Sequence, residues 1–343
     1  MKNLLLFLSV LFFASCNNEQ AKPIVQKVDK QSIFDLLTKD SAVVIDLLAD
    51  IDSLILTKDE EKVYPATLSF LDKSGTKFSE EIKIEARGKT RKSICASPPL
   101  RFLFSTPLLK KHDLANYTEL KMVTPCKENM ASEDLVIKEL LCYQLYRELT
   151  DNSFRAQPAK LKITQKGRTQ ANPEQVAFFI EPKEEMARSL GGELLDETVT
   201  KIKTIDIKSY NLLVLFQYMI GNTDWNLARR HNIKLVKVEG KSAPIPVPYD
   251  FDYSGLVNAE YAVPHPNLPI KNIRDRFFQW KGKDTEILKE PIATLIKKKP
   301  ALFNLLENCQ MKDQKEKRSM IDYVKAFYEI IESEDVMDIL TKK

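Results

Sequence analysis

The alternation of apolar and polar residues in the first half of the chain predicts β-strands. The clearest example is Glu81-Ile82-Lys83-Ile84-Glu85, where charged and apolar residues alternate as they do in a strand with one buried face. Similar short runs predict strands at residues 42–45, 66–70, 100–104, 119–123, 161–163 and 176–180. A single helix is expected to begin at Ser132, a good N-cap residue, and to end near Leu149.

The second half of the chain changes to helical patterning. Helices are predicted at residues 204–220 and over most of 283–341. Two short extended segments lie between them, at 233–238 and 245–249, and a turn at Glu239-Gly240 joins them as a hairpin. The expected fold class is α+β with two lobes, a β-rich N-lobe at 41–181 and a mainly helical C-lobe at 182–343.

The N-terminus has the features of an export signal. Lys2 is followed by an apolar run from Leu4 to Phe13, too short to span a bilayer, and then by small residues before Cys16. The sequence around Cys16 resembles the lipobox of bacterial lipoproteins, where the cysteine becomes lipidated; the alternative is an ordinary signal peptide with an incidental cysteine. We therefore expect a signal peptide at 1–16, a tether at 17–40, and an extracytoplasmic protein anchored to a membrane through Cys16, at the periplasmic face or the cell surface.

Composition excludes some classes of function. The 343 residues carry a net charge of only +4, without the concentrated basic face typical of nucleic-acid binding, so no nucleic-acid partner is expected. With only three histidines, no histidine-based metal site is expected. The chain contains neither GxGxxG nor GxxxxGK[ST], so a Rossmann dinucleotide site and a P-loop are both unsupported.

The cysteines fit an exported protein. Cys95 and Cys126 both lie in proline-containing loops, so they could form a disulfide with each other in an oxidising compartment. Cys142 lies in an apolar helical segment and is expected to be a buried free thiol.

Acidic and amide residues of the second half suggest chemistry. Asp224 follows a buried helix on a loop, although the same residues could form an ordinary turn. The predicted hairpin would bring Asn232 near Asp250, and in an extended chain Asp250 and Asp252 would point to the same side, where a cation would offset their repulsion. Kinase-type phosphotransferases need one carboxylate to deprotonate a hydroxyl, and an Asn with an Asp to hold Mg²⁺ against nucleotide phosphates. The alternative is a solvated acidic turn.

Basic residues of the first half supply a second candidate group. Glu139 lies on the apolar stripe of the predicted helix and needs a partner, for which Lys121 on the preceding strand is a candidate. Lys138 or Arg147 could neutralise Glu139 instead, or Glu139 could lie at the exposed edge of the stripe. The basic segment at 87–92 could line a phosphate site, or it could be a surface turn.

At these positions the chain resembles the CotH family, the spore-coat protein H type of secreted atypical kinases, over roughly residues 80–280. The matching segments run in the family's order: Arg87-Gly88-Lys89-Thr90, residues 99–104, Leu120-Lys121-Met122, Lys138-Glu139-Leu140-Leu141, Phe179-Ile180-Glu181, residues 222–225, His231-Asn232 and Tyr249-Asp250-Phe251-Asp252. The resemblance implies a kinase-like fold, ATP and Mg²⁺ as cofactors, and phosphate transfer to Ser or Thr hydroxyls of an exported protein.

The resemblance also implies roles for individual residues. Asp224 would be the catalytic acid/base. The metal ligands would be Asp250, as the main one, with Asn232 and, more weakly, Asp252; Asn226 competes with Asn232 for its role. The nucleotide site would include Lys121 as the phosphate contact, Glu139 as its partner, and two further residues of the matched motifs, Arg87 and Glu181.

Two functions of different class are consistent with these residues. The first is a lipid-anchored extracytoplasmic kinase acting on an exported or envelope protein. The second is a non-catalytic envelope lipoprotein that uses the same fold as a binding or assembly module, which the scarcity of ATP outside the cytoplasm favours. A glycan or envelope-polymer binder is a third and more remote possibility, because no aromatic platform is evident.

Overall fold

The computed structural model describes residues 30–195 and 204–341. The predicted signal peptide, the lipidation site Cys16 and most of the predicted tether lie outside these residues. None of the helices in the described ranges is both long and apolar enough to cross a membrane.

Seven strands of the first half form a closed barrel in the order β1-β2-β3-β4-β5-β7-β6. Their bounds are β1 Val43–Ala49, β2 Val63–Leu71, β3 Lys77–Ala86, β4 Leu100–Leu103, β5 Glu119–Val123, β6 Ala156–Gln165 and β7 Gln175–Ile180. Buried and exposed residues alternate strictly along β1, as the sequence pattern predicts for such strands. The barrel closes where β1 pairs in parallel with β6, with Val43 opposite Ala159. The sequence indicated the strands, but not this closure.

Four short helices decorate the barrel: α1 Ile33–Leu37, α2 Ile51–Leu56, α3 Thr90–Ile94 and α4 Thr106–Lys111. In α1, Ser32 caps the first turn and the side chains of Ile33, Phe34 and Leu37 are buried in the barrel core. The folded domain therefore begins before residue 41, and the tether predicted for 17–40 extends too far. Burial of these three apolar side chains is enough to pack this short, otherwise polar segment against the barrel.

A long helix, α5 Met130–Leu149, connects β5 with β6 and packs into the core of the second half. Its N-cap is Asn129, whose side chain accepts a hydrogen bond from the Ser132 backbone N–H at 2.8 Å. The predicted N-cap, Ser132, instead lies inside the helix and is buried. The predicted position was wrong because Asn and Ser have similar capping strength, so residue type does not distinguish Asn129 from Ser132.

The second half is mainly helical, as predicted. It contains α6 Lys183–Ser189, α7 Ile207–Met219, a 3-10 turn at Thr285–Leu288, α8 Lys289–Asn308, α9 Gln314–Ile331 and α10 Val336–Thr341. A three-stranded sheet in the order β10-β9-β8 accompanies them, formed by β8 Gly192–Leu194, β9 Ile233–Val238 and β10 Ile245–Pro248. The chain thus has an α+β fold with a β-rich N-terminal region and a helical C-terminal region, and the predicted hairpin is β9 with β10.

A disulfide joins Cys95 to Cys126, which confirms the pairing suggested by the sequence. It ties the end of α3 to the segment between β5 and α5. Cys142 on α5 is a buried free thiol, also as predicted.

Candidate active site

The loop after α7 presents Asp224. It begins at Gly221, whose backbone has a positive φ of 62° and passes so close to the Tyr323 hydroxyl that a Cβ would collide with it. The carboxylate of Asp224 is about one-third exposed and has two partners. Asn232 Nδ2 donates to Oδ2 at 3.0 Å, and His231 Nε2 lies 2.9 Å from Oδ1. The candidate base is therefore held in a fixed orientation and remains accessible.

The β9–β10 hairpin brings Asn232 next to Asp250, as predicted. The Tyr249 backbone N–H donates to the Asn232 carbonyl at 3.0 Å, and the Asp250 N–H donates to the Tyr143 hydroxyl on α5 at 3.0 Å. Asn232 and Asp250 both have positive φ, 54° and 64°. The extended conformation assumed for Asp250 from the sequence is therefore wrong, because a left-handed residue turns the chain at this point.

Asp252 is buried beside Asp250. Its Oδ2 accepts a hydrogen bond from the Tyr261 hydroxyl at 3.0 Å. Burial, and then the charge of Asp250, raise the pKa of Asp252, while Arg91 opposes the rise. A divalent cation between the two carboxylates would relieve this repulsion, so the donor set of two carboxylates and an amide fits Mg²⁺ chemically. In the described ranges no group of three or more His, Cys, Asp or Glu side chains is arranged to hold a metal ion.

Glu139 is paired with Arg91, not with Lys121. Arg91 Nη1 lies 3.2 Å from Glu139 Oε2, and the exposed fractions of the two side chains are 11% and 4%. Arg91 also donates to the Thr124 carbonyl. The predicted Lys121–Glu139 pair is therefore wrong.

The two alternative partners of Glu139 are engaged elsewhere as well. Lys138 pairs with Glu316 at 3.6 Å, and Arg147 pairs with Asp151 at 3.3 Å. Burial and the charges of Asp252 and Asp250 raise the pKa of Glu139, against the opposing effect of Arg91.

The partner that sequence reasoning missed lies in the basic segment at 87–92. Arg91 is on α3, and the disulfide at Cys95 ties α3 to the segment just before α5. The available signal was the combination of a helix carboxylate on an apolar stripe with a nearby basic segment. The disulfide that brings them together could not be established from spacing alone.

A cavity of about 520 Å³ is lined by residues of the barrel, α5, α6 and the β9–β10 hairpin. Its charged lining includes Arg87, Lys121, Lys234 and Asp250, and its apolar lining includes Phe154, Ile180 and Tyr249. The structure therefore brings Arg87, Lys121, Glu181 and Asp250, four of the predicted site residues, to one cavity. Asn232 does not line the cavity but is hydrogen-bonded to Tyr249, which does, and Asp224 is hydrogen-bonded in turn to Asn232.

Lys121 and Arg87 are buried in this cavity close to other positive charges. Burial, and then the charges of Arg87, Arg101 and Lys234, lower the pKa of Lys121 to about 8, while Asp250 opposes the fall. Burial likewise lowers the pKa of Arg87, again opposed by Asp250. In the part of the chain that the structure describes, neither Arg87 nor Lys121 forms an ion pair. Such a group of like charges is costly without an anion.

The other acids of the cavity are already paired. Glu181 Oε1 accepts from Arg155 Nε at 2.8 Å, and Oε2 accepts from the Arg155 backbone N–H at 2.9 Å. Glu119 lies 3.6 Å from Arg101. Glu181 thus contributes to the wall of the cavity, but its carboxylate is held by Arg155. Asp250 is the acid of the cavity whose charge acts on both Arg87 and Lys121.

Lys121 and Lys234 share one aromatic ring. The ammonium groups lie 6.0 Å and 5.0 Å from the centroid of the Tyr249 ring, and the Phe154 ring lies 5.7 Å from the same ring. The cavity therefore combines aromatic surface with positive charge, the two features that a nucleotide requires.

No protein-family model matches this sequence, and no curated protein matches it. Among solved structures, the chain is similar to the crystal structure of a Helicobacter pylori proinflammatory kinase, CtkA, with a TM-score of 0.40 and 10% sequence identity. The match covers 75% of this chain and 93% of that chain. The resemblance to the CotH family stays a prediction.

Proposed function

We propose that this chain is a CotH-like protein kinase that transfers the γ-phosphate of ATP to Ser or Thr hydroxyls of an exported or envelope protein. The observation that carries the proposal is the convergence of Arg87, Lys121 and Lys234 on one cavity beside Asp250. Arg87 and Lys121 are buried cations that form no ion pair with any described residue, and such cations next to a carboxylate fit a polyphosphate with a divalent cation.

The cavity has a part for each portion of the nucleotide. Arg87 and Lys121 would contact the phosphates, and the rings of Tyr249 and Phe154, which line the cavity, would pack against the base. Asp250, with Asp252 and the side-chain oxygen of Asn232, would hold Mg²⁺. When bound, Mg²⁺ neutralises charge on the phosphate oxygens.

Asp224 acts on the acceptor side. As the acceptor hydroxyl oxygen attacks the γ-phosphorus, a new P–O bond forms, the bond from phosphorus to the bridging oxygen of ADP breaks, and the hydroxyl proton passes to Asp224. His231 and Asn232 orient the carboxylate for this transfer. The reaction is balanced by ADP as the leaving group.

The Arg91–Glu139 pair holds the phosphate-binding segment in place. Arg91 is four residues beyond Arg87, and its bonds to Glu139 and Thr124 fix α3 against α5. In this proposal Glu139 positions Arg87 through α3 and makes no contact with nucleotide.

We also propose that the protein acts outside the cytoplasm on a lipid anchor at Cys16. The lipobox-like sequence and the Cys95–Cys126 disulfide support this. Expression of Cys16→Ala is the test: the variant should leave the membrane fraction and label no longer with a lipid precursor. Unchanged membrane association would contradict the anchor.

Nucleotide binding is tested by thermal unfolding with and without ATP and Mg²⁺. Ligand at 100 times its Kd should stabilise the fold by about 2.7 kcal/mol. Asp250→Ala should lose the metal-dependent rise in Tm, whereas Asp46→Ala, on the exposed face of β1, should keep it. A variant Asp250→Ala that binds Mg-ATP as well as the parent protein would refute the site.

Catalysis is tested separately with Asp224→Asn. This variant should keep the nucleotide-dependent rise in Tm and lose transfer of labelled phosphate to envelope proteins, by about 10²-fold or more. Retained transfer would exclude Asp224 as the base.

A non-catalytic binding module is the second candidate. The observation that favours it is that Glu139 holds Arg91, so the predicted lysine–glutamate pair is absent. Such a module would transfer no phosphate to any protein of the envelope fraction, whether or not it binds nucleotide.

A further inference from the structure

Asp224 lies beside a closed six-residue loop that runs from Asn226 to His231. The Asn226 N–H donates to the His231 carbonyl at 3.0 Å, and the His231 N–H donates to the Asn226 carbonyl at 2.9 Å. The Arg229 N–H donates to Asn226 Oδ1 at 2.9 Å, which fixes the turn from inside. Because the His231 ring contacts Asp224, this loop and its exposed Arg229 are fixed beside the carboxylate.

A second segment, residues 276–283, also lies against the Asp224 loop. Gln279 Nε2 donates to the Thr223 carbonyl at 3.0 Å, and the Lys281 N–H donates to a tyrosine hydroxyl of α7 at 3.3 Å. Lys281 and Lys283 are exposed and lie two and four residues beyond Gln279. Their Cα atoms are therefore at most about 7 Å and about 14 Å from that of Gln279.

These two segments contain no acidic residue. No Asp or Glu occurs between Asp224 and Glu239, or between Asp275 and Asp284. The same stretches contain eight basic residues: Arg229, Arg230, His231, Lys234, Lys237, Arg276, Lys281 and Lys283.

Four of these cations are exposed and form no ion pair with any described residue: Arg229, Lys237, Lys281 and Lys283. Lys237 lies further along β9, whereas the other three lie in the two segments beside the Asp224 loop. We call Arg229, Lys281 and Lys283 the basic rim. The Asp284 carboxylate, which follows them, is engaged in capping the 3-10 turn, where it accepts from the Glu286 N–H at 3.1 Å. The two segments that flank the Asp224 loop therefore present exposed positive charge.

We propose that the basic rim selects a carboxylate-rich segment of the protein substrate, with Asp or Glu flanking the acceptor Ser or Thr. The inference rests on the proposed function, since it takes Asp224 as the residue that faces the acceptor. Exposed charge pairs at the edge of an interface raise the association rate and set partner choice. A lysine-rich segment would be repelled by the same three cations.

Binding is measured by fluorescence anisotropy with three labelled peptides that differ only in the residues flanking one serine: Glu, Gln or Lys. The Glu-flanked peptide should bind about 5- to 10-fold more tightly than the Gln-flanked one at low salt. The difference should shrink at 0.5 M NaCl because screening acts on exposed pairs. Equal affinities for the three peptides would overturn the inference, whether or not phosphate is transferred.

The location of the site is tested by the double variant Arg229→Glu with Lys281→Glu. It should lose the preference for the Glu-flanked peptide or reverse it. The matched control is Lys73→Glu with Lys297→Glu, two exposed cations outside the basic rim whose substitution lowers the net charge equally. If both double variants lose the preference by the same amount, net charge explains it and the basic rim does not.

Failure of this inference is distinguishable from failure of the proposed kinase activity. The basic-rim variant should keep the rise in Tm with Mg-ATP, raise KM for the Glu-flanked peptide and leave kcat unchanged. Selective binding of the acidic peptide without any phosphate transfer would leave the inference standing and refute the kinase activity. Phosphate transfer without a preference for acidic flanking residues would support the kinase activity and refute the inference about the basic rim.

Discussion

Replacement of Lys121 by methionine should stabilise the folded protein while abolishing nucleotide binding. Lys121 is confined among Arg87, Arg101 and Lys234, and burial with these charges lowers its pKa from 10.5 to about 8. A difference of this size corresponds to at most about 3 kcal/mol of unfavourable free energy for the charged form. Methionine keeps the length and the packing of the side chain without the charge.

The stabilisation expected for Lys121→Met depends on pH. Because the pKa of Lys121 is lower in the folded state than in the unfolded chain, the unfolded chain binds more protons between pH 8 and 10.5. The parent protein therefore gains stability as pH rises through this window. The advantage of Lys121→Met should be largest below pH 8 and should fade as the pH approaches 10.5.

The assay is thermal and urea unfolding at pH 6.5 and pH 10. A chain with roughly 300 folded residues has an unfolding entropy of about 0.65 kcal/mol per kelvin, so a gain of 1–3 kcal/mol raises Tm by about 2–5 °C. The control is Lys83→Met on the exposed face of β3, for which a change within about 0.5 kcal/mol is expected. A loss of stability for Lys121→Met at pH 6.5 would refute the argument that the cation is held at a cost for ligand binding.

Three further predictions concern the framework around the site. Arg91→Met should lower the free energy of unfolding by about 3–5 kcal/mol in urea titrations, because it leaves a buried carboxylate without its partner, and a loss below 1 kcal/mol would contradict the pairing. Reduction of the Cys95–Cys126 disulfide, which closes a segment of 31 residues, should cost about 3–4 kcal/mol, and an unchanged Tm in reductant with both thiols titrated as free would contradict this. Gly221→Ala should destabilise the protein by more than 1 kcal/mol, and by more than Gly75→Ala, since both residues have positive φ but only Gly221 lacks space for a Cβ; equal losses would contradict the steric argument.

Local patterns predicted much of this fold. The bounds of β5 and β9 agree with the sequence pattern to the residue, because alternation and a nearby turn specify such strands. The closure of the barrel could not be derived in this way. It depends on β1 pairing with β6, a contact between distant segments that leaves no local signal. Helix α1 was missed because its apolar residues are few and its packing partners lie elsewhere in the chain.

The part of the candidate site that lies on the β9–β10 hairpin could be predicted from the sequence. The proximity of Asn232 and Asp250 follows from the register of β9 and β10. The partner of Glu139 could not be predicted. The sequence offered Lys121, Lys138 and Arg147 as candidates, and Glu139 pairs with none of them. Arg91 is selected by tertiary structure, through the position of α3.

The closed barrel has a consequence for how the chain reaches its native state. Its first strand lies between β2, a close neighbour in sequence, and β6, with Val43 beside Ala159. Such long-range pairing folds slowly, because the entropy of closing a long loop is lost before the contacts that compensate it are made. During synthesis β1 therefore keeps one unpaired edge until β6 has emerged. We expect this unpaired edge of β1 to be the surface through which the nascent chain binds chaperones or aggregates.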